Sequence, residues 1–167
     1  MDKWPTDAEW QTWLDAHAPK FLLFARQNAR SEADAQDLTQ EAIVEAAQRQ
    51  EGKSPPSPAL VFATIHRRAI DWARREDRRA NRELAAWDTG TIPWFDTGVE
   101  DRERAKLVQD AMRKLPENYR QVLTLKVWGG LTFAEIADSL NIPANTAASR
   151  YRYGLKELRK LTKEVFT

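Results

Sequence analysis

The sequence predicts an all-α chain of two small helical domains, an N-terminal helical bundle and a C-terminal helix-turn-helix joined by an irregular linker. Three observations carry that expectation. No segment alternates apolar and polar residues with the period of a strand, whereas runs rich in Ala, Leu, Glu, Gln and Arg repeat apolar residues three and four apart. Two capping boxes, Thr6-Asp7-Ala8-Glu9 and Thr132-Phe133-Ala134-Glu135, mark helix starts. Clusters of Pro and Gly, above all Gly52 to Pro58 and Gly129-Gly130, divide the helical text where no helix continues.

Taken in order, the first capping box opens a helix with Trp10, Trp13 and Leu14 on one side that closes near Pro19. A second helix runs from about Lys20 to Ala29 with Phe21, Leu22 and Phe24. Ser31 starts a third, whose packing stripe is Leu38, Ala42, Ile43, Ala46 and Ala47 and whose acids Asp34, Asp37, Glu41 and Glu45 fall outside it. The prolines of residues 52–58 form a surface loop. The fourth helix, about Ala59 to Arg79, is apolar at Leu60, Phe62, Ile65, Ala69, Ile70 and Trp72 and rich in arginine elsewhere. Residues 85–100 have no period and read as a linker between domains spanning 1–84 and 101–167, and Trp87, Trp94 and Phe95 suggest that it is clipped onto one of them. In the second domain Pro116 sits in the first turn of a helix carrying Tyr119, Val122, Leu123 and Val127, which Gly129-Gly130 stops. A short helix follows with Ile136, Ala137 and Leu140. After the Asn141-Ile142-Pro143 corner, Asn145 or Thr146 caps the last helix.

Composition narrows the function. The chain has 167 residues, is 42% apolar and has no cysteine, which excludes disulfide scaffolds, thiolate metal sites and cysteine nucleophiles. Its start lacks the charged and apolar regions of a leader, and no stretch approaches the roughly 20 apolar residues of a membrane span, so a soluble cytoplasmic protein is expected. Net charge is only +1, but the charges are segregated. Acids dominate from Ser31 to Glu51. The stretch from Thr64 to Arg82 carries Arg67, Arg68, Arg74, Arg75, Arg78, Arg79 and Arg82, and Ser149 to Lys163 is basic again. Such a distribution suits an acidic surface for a protein and two basic surfaces for a polyanion.

Catalysis finds little support. His17 and His66 stand in no metal-ligand spacing and read as packing or surface residues, Gly129-Gly130 lacks the flanking strand and lysine of a phosphate loop, and no metal or cofactor is expected. The helix-turn-helix is the strongest feature. On its final helix Ser149, Arg152, Tyr153 and Lys156, spaced i, i+3, i+4 and i+7, share an outward face suited to a DNA groove, while Ala147, Tyr151, Leu155 and Leu158 point inward. Thr146 precedes that face, and Arg150, Arg159, Lys160 and Lys163 supply cations for phosphates.

Three blocks in order, Asp34-Ala35-Gln36-Asp37-Leu38-Thr39-Gln40-Glu41, Ala69-Ile70-Asp71-Trp72-Ala73-Arg74-Arg75, and Leu115-Pro116 through Leu161, resemble the extracytoplasmic-function sigma factors of bacterial RNA polymerase. The resemblance covers the chain apart from its first twenty residues and the linker. It implies a promoter-specificity subunit without catalytic activity, with core RNA polymerase and promoter DNA as partners and an anti-sigma protein as a further candidate. The family's clamp-docking motif falls on Asp34, Asp37, Leu38, Gln40 and Glu41. Its loop for an unstacked −10 base maps onto Gln50 to Pro58, including Lys53, and its strand-holding cations onto Arg67, Arg68, Arg74 and Arg75. The −35 element would meet Thr146, Ser149, Arg150, Arg152, Tyr153 and Lys156. This chain departs from the family pattern at Asn145-Thr146-Ala147-Ala148, where Gly-Thr-Val and a basic residue are usual, and at Leu60-Val61, where an aromatic-leucine pair is usual. Two readings from other classes compete: a stand-alone helix-turn-helix repressor or activator with a dimerising or sensing N-terminal domain, and an enzyme with a helical nucleic-acid-binding appendage.

Overall fold

The computed structural model describes residues 5–51, 54–80, 92–98 and 101–166, which form seven helices and no strand. The chain divides at Ile92/Pro93 into two compact units.

The first unit holds α1 (Asp7–Arg26), α2 (Glu32–Arg49) and α3 (Pro58–Ala80). Thr6 and Glu9 form the expected capping box, Thr6 Oγ1 accepting from the Glu9 amide at 3.1 Å and Glu9 Oε2 from the Thr6 amide at 3.0 Å. The two helices expected on either side of Pro19 are one, with Pro19 inside it. An interior proline costs about 3 kcal/mol because it gives no hydrogen bond to the preceding turn. Packing outweighs that cost here. Trp13, His17 and Phe21 stack in sequence across the proline, with centroids 5.4 and 6.0 Å apart. Phe21 and Phe24 then meet Phe62 of α3 edge-on at 5.0 and 5.7 Å, and all three phenylalanines are fully buried.

The turn from α1 to α2 is fastened by a buried Arg26 that donates twice to Glu32, at 2.8 and 2.7 Å. The hydrogen bond from Arg26 holds the Glu32 carboxyl below the usual carboxylate range. The inner stripe of α2 is Ala35, Leu38, Thr39, Ala42 and Ala46. Of the expected stripe, Ile43 and Ala47 are half-buried and Ala35 and Thr39 take their place; Thr39 is accommodated because its hydroxyl donates to the Ala35 carbonyl at 2.8 Å. Pro58 begins α3, as proline's fixed φ favours, and Val61, Phe62, Thr64, Ile65 and Ala69 face the core.

The second unit holds α4 (Arg102–Lys114), α5 (Glu117–Val127), α6 (Phe133–Leu140) and α7 (Ala144–Phe166). Met112, Leu115, Val122, Leu123, Leu125, Ile136 and Ala147 are its core. Pro116 is extended and precedes α5 instead of entering its first turn. The Gly129-Gly130 stop has two causes: Gly130 lies at φ +69°, and a Cβ on Gly129 would stand 2.6 Å from the Leu125 carbonyl oxygen. The corner between α6 and α7 turns on Asn141, left-handed at φ 56° and ψ 51°. Neither Asn145 nor Thr146 caps α7. The helix starts at Ala144 and the Ala147 amide already donates to the Pro143 carbonyl at 3.0 Å, because Pro143 supplies helical φ at that point.

Of the linker expected over 85–100, residues 85–91 and 99–100 lie outside the described residues. Residues 93–98 belong to the second unit, and Trp94 is 4% exposed. Its amide donates to Gln109 Oε1 at 2.9 Å, and its ring has the guanidinium carbons of Arg113 and Arg120 at 5.2 and 5.8 Å. Phe95 rests against Trp128 at 5.4 Å.

Candidate nucleic-acid interface

On α7 the periodicity of small and long residues sorts the two faces. Ala147 and Gly154 are buried, one turn pair apart, while Arg152, Tyr153 and Lys156 are exposed, Tyr153 by 58%. Ser149, Arg150 and Thr146 are partly covered. Tyr151 turns inward against Phe133 of α6 at 5.6 Å, and Lys126 of α5 lies 4.5 Å from the centre of the same Phe133 ring while donating to the Leu131 carbonyl at 3.2 Å. These contacts set the rotation of α7 about its axis and hence which side chains face out. Gly154, which the periodic reading passed over, is what lets α7 approach α5: a Cβ there would stand 3.1 Å from the Tyr119 Cβ and 3.2 Å from a Leu123 methyl. Its signal was present in the sequence as a glycine inside an otherwise strong helix, which calls for a packing reason.

The first unit arranges its charges differently. Glu41 and Glu45 of α2 face Arg67 and Arg68 of α3: Arg68 donates to Glu41 at 2.8 Å and to Glu45 at 3.2 Å, and Arg67 pairs with Glu45. Burial works to raise the Glu45 carboxyl, but the hydrogen bond from Arg67 and the charges of Arg67, Arg68 and Arg49 together hold it below its ordinary value. The sequence assigned these acids and arginines to separate surfaces with separate partners. They line one cleft of about 930 Å³, together with Asp34 and Arg75. Asp37 and Gln40 are exposed on α2, and Arg74 and Arg75 on α3. Leu38 is fully buried, so it supports α2 from inside and presents nothing to a partner. Lys53 lies outside the described residues. Trp72, one of the apolar positions of the expected fourth helix, also lines the cleft and is half-buried; a tryptophan three residues from Arg75 on a basic helix has the composition of a stacking site.

His17 is a packing residue. It stacks between Trp13 and Phe21, and burial, followed by the charge of Lys20, lowers its pKa and favours the neutral ring.

Residues 13–79 match the family described as Sigma-70 region 2, and residues 105–158 match Sigma-70, region 4. The chain is 28% identical over 165 residues to the RNA polymerase sigma factor SigV of Bacillus subtilis, covering 97% of this chain and 96% of that one. It is 27% identical over 156 residues to the ECF RNA polymerase sigma factor SigL of Mycobacterium tuberculosis, covering 90% of this chain and 87% of that one. Among solved structures, the fold is similar to that of the sigma factor RpoE of Bartonella quintana in its complex with the anti-sigma factor NepR, at a TM-score of 0.70 and 18% identity over 92% of this chain and 96% of that one. The two region matches fall one on each unit, the first containing the cleft and the second the outward face of α7. The chain therefore belongs to the sigma-70 family, as an extracytoplasmic-function sigma factor that recognises promoters and initiates transcription without enzymatic activity of its own.

Proposed function

We propose a division of that task between the two units. The second unit, which begins in the expected linker and includes all of 101–167, reads the −35 element through α7. Arg152, Tyr153 and Lys156, with Ser149 and Thr146 beside them, meet base edges, and Arg150, Arg159, Lys160 and Lys163 meet phosphates. The first unit, which includes all of 1–84, docks on core RNA polymerase through Asp34, Asp37, Gln40 and Glu41 and holds the opened −10 strand with Lys53, Arg67, Arg68, Arg74 and Arg75. Among the described residues no helix is long and apolar enough to cross a membrane. The protein works in the cytoplasm, where the polymerase and its promoters are, and an anti-sigma protein is a candidate regulator.

The observation that carries this reading is the sorting of α7, with Ala147 and Gly154 buried and Arg152, Tyr153 and Lys156 exposed on the opposite side. It is tested by transcription with core polymerase from a promoter library randomised at −35. Arg152→Ala should relax preference at one or two positions, losing about 1–3 kcal/mol there, whereas Lys160→Ala should lower all promoters by one factor and reduce salt dependence. A uniform loss from Arg152→Ala would make it a phosphate contact. In a pull-down, Asp37→Lys should reduce the core polymerase captured with the protein by about tenfold, and in the transcription assay it should leave the preferred promoters unchanged.

A further inference from the structure

The strap at residues 93–98 changes the length of chain that joins the two units. Trp94 is buried, its amide is bonded to Gln109 on α4, its ring lies beside Arg113 and Arg120, and Phe95 rests on Trp128 beyond α5. The connector is therefore residues 81–92, between the end of α3 and Pro93. Without the strap it would extend to Asp101, before α4. At roughly 3.4 Å per residue the longest reach from Ala80 is about 45 Å to Pro93 and about 75 Å to Arg102.

We infer that Trp94 is a spacing-determining residue: by fixing residues 93–98 to the second unit, it limits how far apart the −10 and −35 elements can lie on a usable promoter. This rests on the division of promoter contacts between the units proposed above. Each base pair inserted between the elements moves them about 3.4 Å further apart along the axis and turns one relative to the other by about a tenth of a turn. For a tether the effective concentration of the second site is near zero when the chain cannot span, and it falls only slowly once the chain is longer than needed. A short connector thus cuts off long spacings sharply. A lengthened one admits them and loses little at the optimum.

The experiment is transcription by core polymerase with the full-length protein from one promoter whose element spacing is changed in single base pairs on both sides of the optimum. Three variants are compared with wild type. Trp94→Ala releases the strap, and Trp94→Phe keeps an aromatic ring at the same place. A nine-residue Gly/Ser insertion after Thr89 adds the length of 93–101 while leaving the strap intact, so it reports on connector length even if Trp94→Ala loosens the second unit. We expect wild-type activity to fall about tenfold at spacings two base pairs beyond the optimum, and Trp94→Ala and the insertion to reduce that fall to about threefold on the long side alone, with Trp94→Phe close to wild type. Profiles of unchanged shape for both Trp94→Ala and the insertion would overturn the inference while leaving the promoter contacts standing. A wild-type protein that transcribes equally well with the −35 element scrambled would instead overturn the proposed division, and the spacing role with it.

Discussion

The two units handle the same kind of residue in opposite ways. In the first, arginines of α3 lie against carboxylates of α2, so that Arg68 touches both Glu41 and Glu45 and Arg67 touches Glu45. In the second, Arg152, Lys156, Arg159 and Lys160 of α7 are exposed, and the ion pair that Lys160 makes with Glu157 is between exposed side chains at 3.3 Å. A phosphate arriving at α7 meets exposed cations. A phosphate arriving at the cleft must displace a carboxylate first, and a polymerase contact that draws Glu41 away leaves Arg68 with one partner fewer. Charge segregation along a sequence therefore predicts a polyanion surface only where the fold places no opposite charge across from it. Partly exposed pairs of this kind are worth about 0–1 kcal/mol, so they bias the cleft without closing it.

The units differ in what holds them as well. The first rests on large aromatic residues and the second on aliphatic ones packed around a glycine, and the strongest way to break the comparison is at Phe62. Phe62→Ala removes the ring that Phe21 and Phe24 both meet, at 5.0 and 5.7 Å, and should destabilise the first unit by about 3–5 kcal/mol. Hydrogen exchange read residue by residue should show protection lost over α1 to α3 and kept over α5 to α7. Equal loss in both would show that the two units unfold as one.

A smaller effect is expected at Gly154. Gly154→Val places a Cβ 3.1 Å from the Tyr119 Cβ and adds two methyl groups beyond it, which should cost about 1–3 kcal/mol in the second unit and none in the first. Gly154→Ala makes the same close approach but gains up to about 1 kcal/mol of helix propensity, so its net change should be smaller. Denaturant unfolding followed by exchange over α5 and α7 separates the two variants. A Val variant as stable as wild type would mean that α7 shifts freely against α5, and the sorting of its faces would then rest on Phe133 and Tyr151 alone.

What the sequence made legible follows from the range of the interactions involved. Capping boxes, glycine stops and the inward and outward faces of α7 are set by residues within a turn or two, and Thr6, Thr132, Ala147 and Tyr153 stand where periodicity puts them. The break expected at Pro19 was a local rule overridden by a distant contact, the meeting of Phe21 with Phe62, which lies 41 positions further along the sequence. The pairing of Glu41 and Glu45 with Arg67 and Arg68 is equally nonlocal: each helix shows its own charge pattern, but their facing depends on how α2 and α3 pack. Trp94 is an intermediate case. Its aromatic character signalled that the linker is attached, while the choice of the second unit depends on Gln109, Arg113 and Arg120, none of which is distinctive alone.

The smallest expected effect sharpens the electrostatic side of the comparison. Glu45 is held below its ordinary value of 4.5 because the Arg67 hydrogen bond and the neighbouring guanidinium charges outweigh its partial burial. A carboxylate whose folded pKa is depressed binds fewer protons in the folded state than in the unfolded one. Its contribution is therefore fully present above the unfolded value, near 4.5, and is lost as pH falls through the lower folded value. Arg67 is 43% exposed, so solvent screening limits the contribution to about 1 kcal/mol or less. Glu45→Gln should lower the stability of the first unit slightly at pH 7 and flatten the part of its acid-side loss that falls below pH 4.5, leaving the share due to Glu32 in place. Glu157→Gln, which removes the exposed partner of Lys160, should change the second unit by about 0–0.5 kcal/mol at pH 7. Urea midpoints measured between pH 3 and 7 for both variants would test the contrast, and a first unit whose acid-side loss is unchanged by Glu45→Gln would show that the Arg67 and Arg68 contacts carry no net stability in solution.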